Sequence, residues 1–274
     1  KNTLQPRAKL YFNQSTIHLI MNKQTVFFTN ALFLFLLLSL VSACNCEKGS
    51  GDVAIDTRLV NNFDKIVVEG NYAAVYLHQD TVSKVTIQTD DNLLPFIETD
   101  ITTNNQLIIS NDKCLKKHKD IVIHVYSPNW HKVQLTGTSD IEAKTSITTD
   151  FIEIESTGTG EITLKGLIAS NQVDVDLEGT GSIYIFDLET PNLNSDLSGT
   201  GVLQYSGNAA YHNIVISGTG NLYAFDLKTN KCDVFHQGTG NCEVYASDAL
   251  DVTIKSTGDV HYRGNPADVD IVLD

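Results

Sequence analysis

Between Trp130 and Tyr262 apolar and polar residues alternate in short runs, and the runs recur. Each copy has an alternating arm, a small polar corner and a second alternating arm. The corners read Gly-Thr-Ser-Asp at 137–140, Gly-Thr-Gly-Glu at 158–161, Gly-Thr-Gly-Ser at 179–182 and Gly-Thr-Gly-Val at 199–202. Gly-Thr-Gly-Asn follows at 218–221 and again at 238–241, and Ser-Thr-Gly-Asp closes the series at 256–259. With the third corner residue as marker (Ser139, Gly160, Gly181, Gly201, Gly220, Gly240, Gly258) the spacings are 21, 21, 20, 19, 20 and 18. A period near twenty marks stacked supersecondary units.

On a ruler set from the marker, the same columns fill with apolar residues. Eight before it stand His131, Ile152, Val173, Leu193, His212, Cys232 and Leu250; six before stand Val133, Ile154, Val175, Ser195, Ile214, Val234 and Val252. Four before stand Leu135, Ser156, Leu177, Leu197, Ile216, His236 and Ile254. Two after stand Ile141, Ile162, Ile183, Leu203, Leu222, Cys242 and Val260; four after stand Ala143, Leu164, Ile185, Tyr205, Ala224, Val244 and Tyr262. A period of two within an arm puts these residues on the buried face of a strand. Like stacks on like, as a parallel solenoid requires. The pattern predicts an all-β chain, a parallel β-solenoid with about 20 residues per coil and two or three short strands in each. The corner glycines are expected to turn the chain through positive φ. Between them lies a file of Thr138, Thr159, Thr180, Thr200, Thr219 and Thr239, whose hydroxyls can bond along the stack.

The rest of the mature chain reads as the start and end of the same rod. Residues 52–274 form one solenoid domain: cap and first coils over 52–127, repeat coils over 128–264 and a closing strand over 265–274. Asp90–Ile97 reads as one helical turn with Asp90 or Asp91 as cap. The basic run Lys113 to Lys119 reads as a solvated loop. In the last run Val269, Ile271 and Leu273 alternate with Asp268, Asp270 and Asp274.

The N-terminus changes the picture from a rod to a rod with an address. Met21 is the sole Met. Residues 1–20 read as upstream read-through and 21–43 as a signal peptide, with a charged start, an apolar core and small residues before Cys44. An uncleaved anchor is the alternative, and the apolar core is short for one. Val41-Ser42-Ala43-Cys44 resembles the lipobox of bacterial lipoproteins, which implies cleavage before Cys44, its acylation and attachment to the membrane through it. Residues 44–51 read as a tether. The net charge of −14 becomes −18 when residues 1–43, with four bases and no acid, are removed. That excludes nucleic acid as a partner, since a phosphate backbone needs a basic face. Cys46, Cys114, Cys232 and Cys242 remain; in an oxidising compartment three disulfide connectivities are open.

Three stretches carry a further resemblance: Phe63-x-x-Ile66-x-Val68-x-Gly70 with Val75-x-Leu77; Asp90-Asp91-Asn92-Leu93-Leu94 leading to Leu107-Ile108-Ile109; and the repeated Gly-x-Gly corner. Over about Asp52 to Asp274 the chain resembles the putative auto-transporter adhesin, head GIN domain family. The resemblance implies a right-handed parallel β-helix-like fold and a bacterial secreted or lipoprotein-like setting. It supplies no catalytic residues.

Candidate chemistry belongs to the outward columns. Glu153, Glu155, Asp174, Asp176 and Asp196 form an acidic patch on adjacent coils, where like charges oppose each other. Several carboxylates in one place are what a Ca²⁺ ion takes, so Ca²⁺ is the one ion the sequence invites; no other cofactor is expected. The competing reading is a solvated face in an acid-rich chain. Tyr184, Val215, Tyr223 and Phe235 point outward and offer apolar surface for sugar rings or a protein partner, or simply pack on each other. His236 and Cys242 fall in buried columns, which favours packing over a nucleophile and base. No Arg precedes Arg263 in the repeats, so a polysaccharide lyase would lack a basic catalytic residue. The expected function is a non-catalytic, lipid-anchored envelope protein that binds a surface glycan or protein. A carbohydrate-active enzyme and a purely structural envelope protein are the alternatives.

Overall fold

A computed structural model describes residues 46–274; Cys44 and the segments 1–20 and 21–43 lie outside the described residues. The repeat region is a parallel β-solenoid. In the first arm Ile152, Val173, Leu193, His212, Cys232 and Leu250 pair successively in register. In the second, Ile141, Ile162, Ile183, Leu203, Leu222, Cys242 and Val260 do the same. Apart from His131, Ile254, Val260 and Tyr262, the ruler residues are buried, so the inward face of every middle coil joins one apolar core. Each fully buried Leu or Ile contributes about 1.5–3 kcal/mol relative to exposure.

A third arm completes each coil. It runs through Ile147, Leu167 and Ala169, Leu188 and Thr190, Ala209, and Leu227 and Thr229, all buried, with Thr149 half-buried at its start. Three of the strands, Ser182–Leu197, Val202–Ile216 and Asn221–His236, pass without a break from second arm through third into the next first arm. The bend into the third arm falls at Gly166, Asp187 and Gly207, which have φ of 73°, 55° and 123°.

The Gly-Thr-Gly corners work differently from the expectation. None of their glycines has a positive φ. Glycine is required there because the corners are stacked in near contact: a Cβ on Gly160, Gly181, Gly201, Gly220 or Gly240 would overlap the carbonyl oxygen of the marker residue in the preceding coil. The Thr file is exposed. Its ladder is made by the backbone, with the N–H of Thr159, Thr180, Thr200, Thr219 and Thr239 donating to a glycine carbonyl one coil below at 3.1–3.2 Å.

The first coils are not stacked in chain order. Lys65–Val68 pairs with Gln106–Asn111 on one side and with Lys132–Leu135 on the other. Ala74–Gln79 likewise lies between Val122–Ser127 and Ile141–Ala143. The chain therefore makes an inner coil over 65–79, moves outward to build the coil over 106–127, and returns past the inner one to start the repeats at 132. Trp130, fully buried, marks the return and packs edge-on against Phe63 at 5.9 Å. Because Trp130 takes the core position there, His131 does not join the buried column. It is half-buried and bridges Asp64 and Asp150, each at 3.1 Å.

The outer edge is closed by antiparallel strands. Lys84–Asp90 covers Val122–Ser127, Val53–Leu59 covers Lys84–Asp90, and Ile97–Ile101 covers Gln106–Asn111. The short helix spans Asp91–Phe96, but Asp90 does not cap it with its side chain. Its buried carboxylate accepts instead from the N–H groups of Gly51 and Lys119, at 2.6 and 2.7 Å. Residues 46–51 are thus pinned to the cap, helped by the Cys46–Cys114 disulfide and by pairing of Glu47–Lys48 with Leu115–Lys116. Cys232 and Cys242 are free and buried. At the other end Asp268–Leu273 adds a parallel rung on Ala249–Ile254, and its Val269, Ile271 and Leu273 remain exposed.

Candidate functional site

The acidic patch forms as a unit. Glu153 pairs in register with Asp174, Glu155 with Asp176, and Asp176 with Asp196, so the five carboxylates share one outer face of the first arm. The protein answers much of their repulsion itself. Lys132 Nζ reaches Glu153 at 3.2 Å and Glu155 at 2.7 Å. The Gln172 and Asn194 amides donate to Asp174 at 2.7–2.9 Å. Asp176 is left out: its Oδ1 is buried with no partner. Burial, and then the charge of Asp196, pushes its carboxyl up to about 6. Burial, followed by the charge of Glu178, also raises Asp196. Among the described residues no group of three or more His, Cys, Asp or Glu side chains is arranged to hold a metal ion.

A carboxyl whose pKa is higher folded than unfolded resists ionisation in the fold. Its ionisation therefore costs stability as pH rises from about 4 to about 6, and the full cost persists above that range. Asp176→Asn is expected to stabilise the protein at pH 7.5, by on the order of 1 kcal/mol after discounting for solvent screening. Melting curves of both proteins at pH 7.5 and 4.0 check this: the gain must shrink at pH 4.0, and an equal gain at both pH values refutes the ionisation account.

The outward apolar residues do not form one surface. Tyr184 and Tyr223 lie on the second arm with Gln204 between them, and Tyr184 stacks against Phe186 at 6.2 Å. Val215 and Phe235 are paired neighbours on the first arm, beside Asp196. A partner on one pair cannot reach the other by the same face.

The reactive side chains inside the rod are sealed. Ser195, Tyr205 and His212 form a hydrogen-bonded trio in the core, with Ser195 Oγ 3.1 Å from the Tyr205 hydroxyl and 3.0 Å from His212 Nε2. Burial pushes His212 down to about 3, so its imidazole stays neutral. His236 donates from Nε2 to the Gly240 carbonyl at 2.9 Å. Burial raises the Cys232 and Cys242 thiols far above their ordinary range, which removes them as nucleophiles.

A long concavity lies on the third arm, which the ruler of buried columns did not include. A groove of about 540 Å³ crosses the coils from Ile168 to Ser247. One wall is the paired outward column Ile168, Glu189, Asn208 and Lys228. Small residues, Ser170, Pro191 and Ala210, leave the space open. Asn208 Nδ2 donates to Glu189 at 2.6 Å, Asn230 to Asp248 at 3.1 Å, and the Lys228 ammonium sits 3.9 Å over the Tyr245 ring. The sequence did carry a signal for this arm. Six residues past the marker, at five of the seven copies, stand Gly166, Asp187, Gly207, Asp226 and Gly264, residues suited to a left-handed bend, with Leu167, Leu188 and Leu227 following; Thr145 and Ala246 fill the other two.

A family model described as putative auto-transporter adhesin, head GIN domain, matches residues 62–187 and again 153–266. The chain belongs to this family. The two matches overlap over 153–187, as a stacked repeat allows. Among solved structures the rod is similar to a putative adhesin from Parabacteroides distasonis ATCC 8503, with 22% identity, 84% of this chain and 98% of the other covered, and a TM-score of 0.76. A putative adhesin from Parabacteroides merdae ATCC 43184 follows at 20% identity, 83% and 95% coverage and TM-score 0.73. A putative lipid binding protein from Parabacteroides distasonis ATCC 8503 has 21% identity, 84% and 97% coverage and the same TM-score, 0.73. At these identities the likeness is one of fold. No curated protein matches the head GIN chain in sequence.

Proposed function

We propose that this head GIN protein is a non-catalytic, adhesin-like protein of the cell envelope, held to the membrane through acylated Cys44, that binds a surface glycan or protein along the side of its solenoid. The observation that carries the reading is the open groove on the third arm. It crosses coil after coil and is lined by amides, a carboxylate and an ammonium at regular spacing, a surface for an extended ligand rather than a reacting group. Family membership supports an adhesin-like role, and the sealing of Ser195, His212, His236 and Cys242 in the core speaks against acyl-transfer or thiol chemistry at these residues.

A glycan array, with a reducing-end release assay on the hits, tests it. Binding without release is expected, and release overturns the non-catalytic reading. Ala210→Trp, which fills the groove from an exposed position, is expected to weaken binding at least tenfold with an unchanged melting temperature; full binding by this variant moves the site elsewhere. For the anchor, a palmitate analogue must label the wild type and not Cys44→Ala.

A further inference from the structure

On the outer face of the second arm, near the cap, four aromatic side chains stack in a way neither the core nor the groove uses. Tyr76 and His78 lie on the strand Ala74–Gln79, His124 and Tyr126 on its parallel neighbour Val122–Ser127. All four are half-buried. His78 stacks on Tyr126 at 4.4 Å, and His124 lies 5.0 Å from Tyr76. His78 Nε2 and His124 Nδ1 are 3.1 Å apart.

We propose that His78 and His124 form a binding site for a divalent transition-metal ion of the imidazole-preferring class, such as Zn²⁺ or Ni²⁺. Metal–imidazole bonds are about 2.0–2.1 Å long, so two nitrogens 3.1 Å apart subtend about 98° at a shared ion. That lies between octahedral and tetrahedral geometry. The χ2 torsion of His is soft, so both rings can turn their lone pairs from each other to a common point. The paired strands fix both backbones side by side, so only the ring torsions are set on binding. Water completes the shell, since no third ligand from the described residues joins the pair.

The surroundings keep the ligands in the form a metal needs. Metal binding requires neutral imidazole. Desolvation, then the neighbouring imidazole and the Lys144 and Lys84 ammoniums, lowers His78, against the opposing charge of Asp80. Desolvation followed by Lys144 lowers His124. The ammoniums are themselves engaged: Lys84 sits 4.2 Å over Tyr126, and Lys144 4.2 Å over Tyr76 while paired with Glu142 at 2.6 Å. They still repel a dication, which weakens its binding.

Calorimetric titration of the full chain with Zn²⁺ at pH 7.5 tests the proposal. One saturable site is expected, weakened at least tenfold by His78→Ala and by His124→Ala, and unchanged by His261→Ala on the far coil. His124→Gln, which keeps a hydrogen-bonding side chain on the strand, must lose the ion equally. Imidazole ¹⁵N resonances of the wild type answer without a variant: those of His78 and His124 must shift with Zn²⁺. Absence of a saturable site, or full affinity in the His78 and His124 variants, overturns the proposal.

Discussion

Gly181→Ala is expected to lower the stability of the rod by about 3 kcal/mol or more, the upper end of overpacking costs, because the clash is with backbone. For a domain of this size that is a fall of roughly 8–15 °C in melting temperature. The added methyl points at the carbonyl of Gly160 one coil below, and no rotamer moves a Cβ. Relief requires the two coils to part, which lengthens the Thr180 and Ser182 hydrogen bonds to Gly158 and Gly160. Gly51→Ala is the matching control. Gly51 has φ of 93° and open space around its Cβ, so only backbone strain is added, on the order of 1–2 kcal/mol. Thr180→Ala, in the exposed file, is expected to stay within about 0.5 kcal/mol. If Gly181→Ala melts no earlier than Gly51→Ala, close stacking is not the reason the corner is glycine.

Trp130→Ala is expected to cost a similar amount, about 3–5 kcal/mol, by leaving a cavity at the one place where the chain passes back over its own first coil. Trp130 is completely buried and meets Phe63, the residue that leads into the inner coil, so its loss loosens the joint between cap and repeats. The effect is read by circular dichroism in denaturant, because Trp130 is the sole tryptophan and its fluorescence is lost with it. In the wild type that fluorescence reports the same joint and must shift to the red with the main transition. Trp130→Phe should recover more than half of the loss. A Trp130→Ala variant with a wild-type midpoint would falsify this account of the return crossing.

Much of the rod was legible because a solenoid is nearly one-dimensional. Each coil meets only its neighbours, so the columns of Ile152, Val173 and Leu193, or Ile141, Ile162 and Ile183, appear in the sequence at the spacing they have in space. His131 misled for the opposite reason. It keeps the ruler position, but Trp130 beside it belongs to the crossing and takes the core. The acidic patch was legible too, because register follows from the repeat. Its partners were less so, as only the folded side chains show that Lys132 serves both glutamates while Asp176 has none. That Tyr184 and Tyr223 lie on one arm and Val215 and Phe235 on another was not legible, because sequence offsets do not say how far the chain turns between arms.

By itself, the sequence determined the parallel stack, its period, the buried columns and the family, since these depend on residues a fixed distance apart along the chain. Tertiary structure decided the rest. The inner coil over 65–79 is covered by the later coil over 106–127, a stacking out of chain order that no repeat spacing marks. Corner glycines owe their identity to a carbonyl about twenty residues away rather than to their own φ. The repeat marks the bend into the third arm, but the open space beside it and the His78–His124 pair exist only because separate strands bring those side chains together.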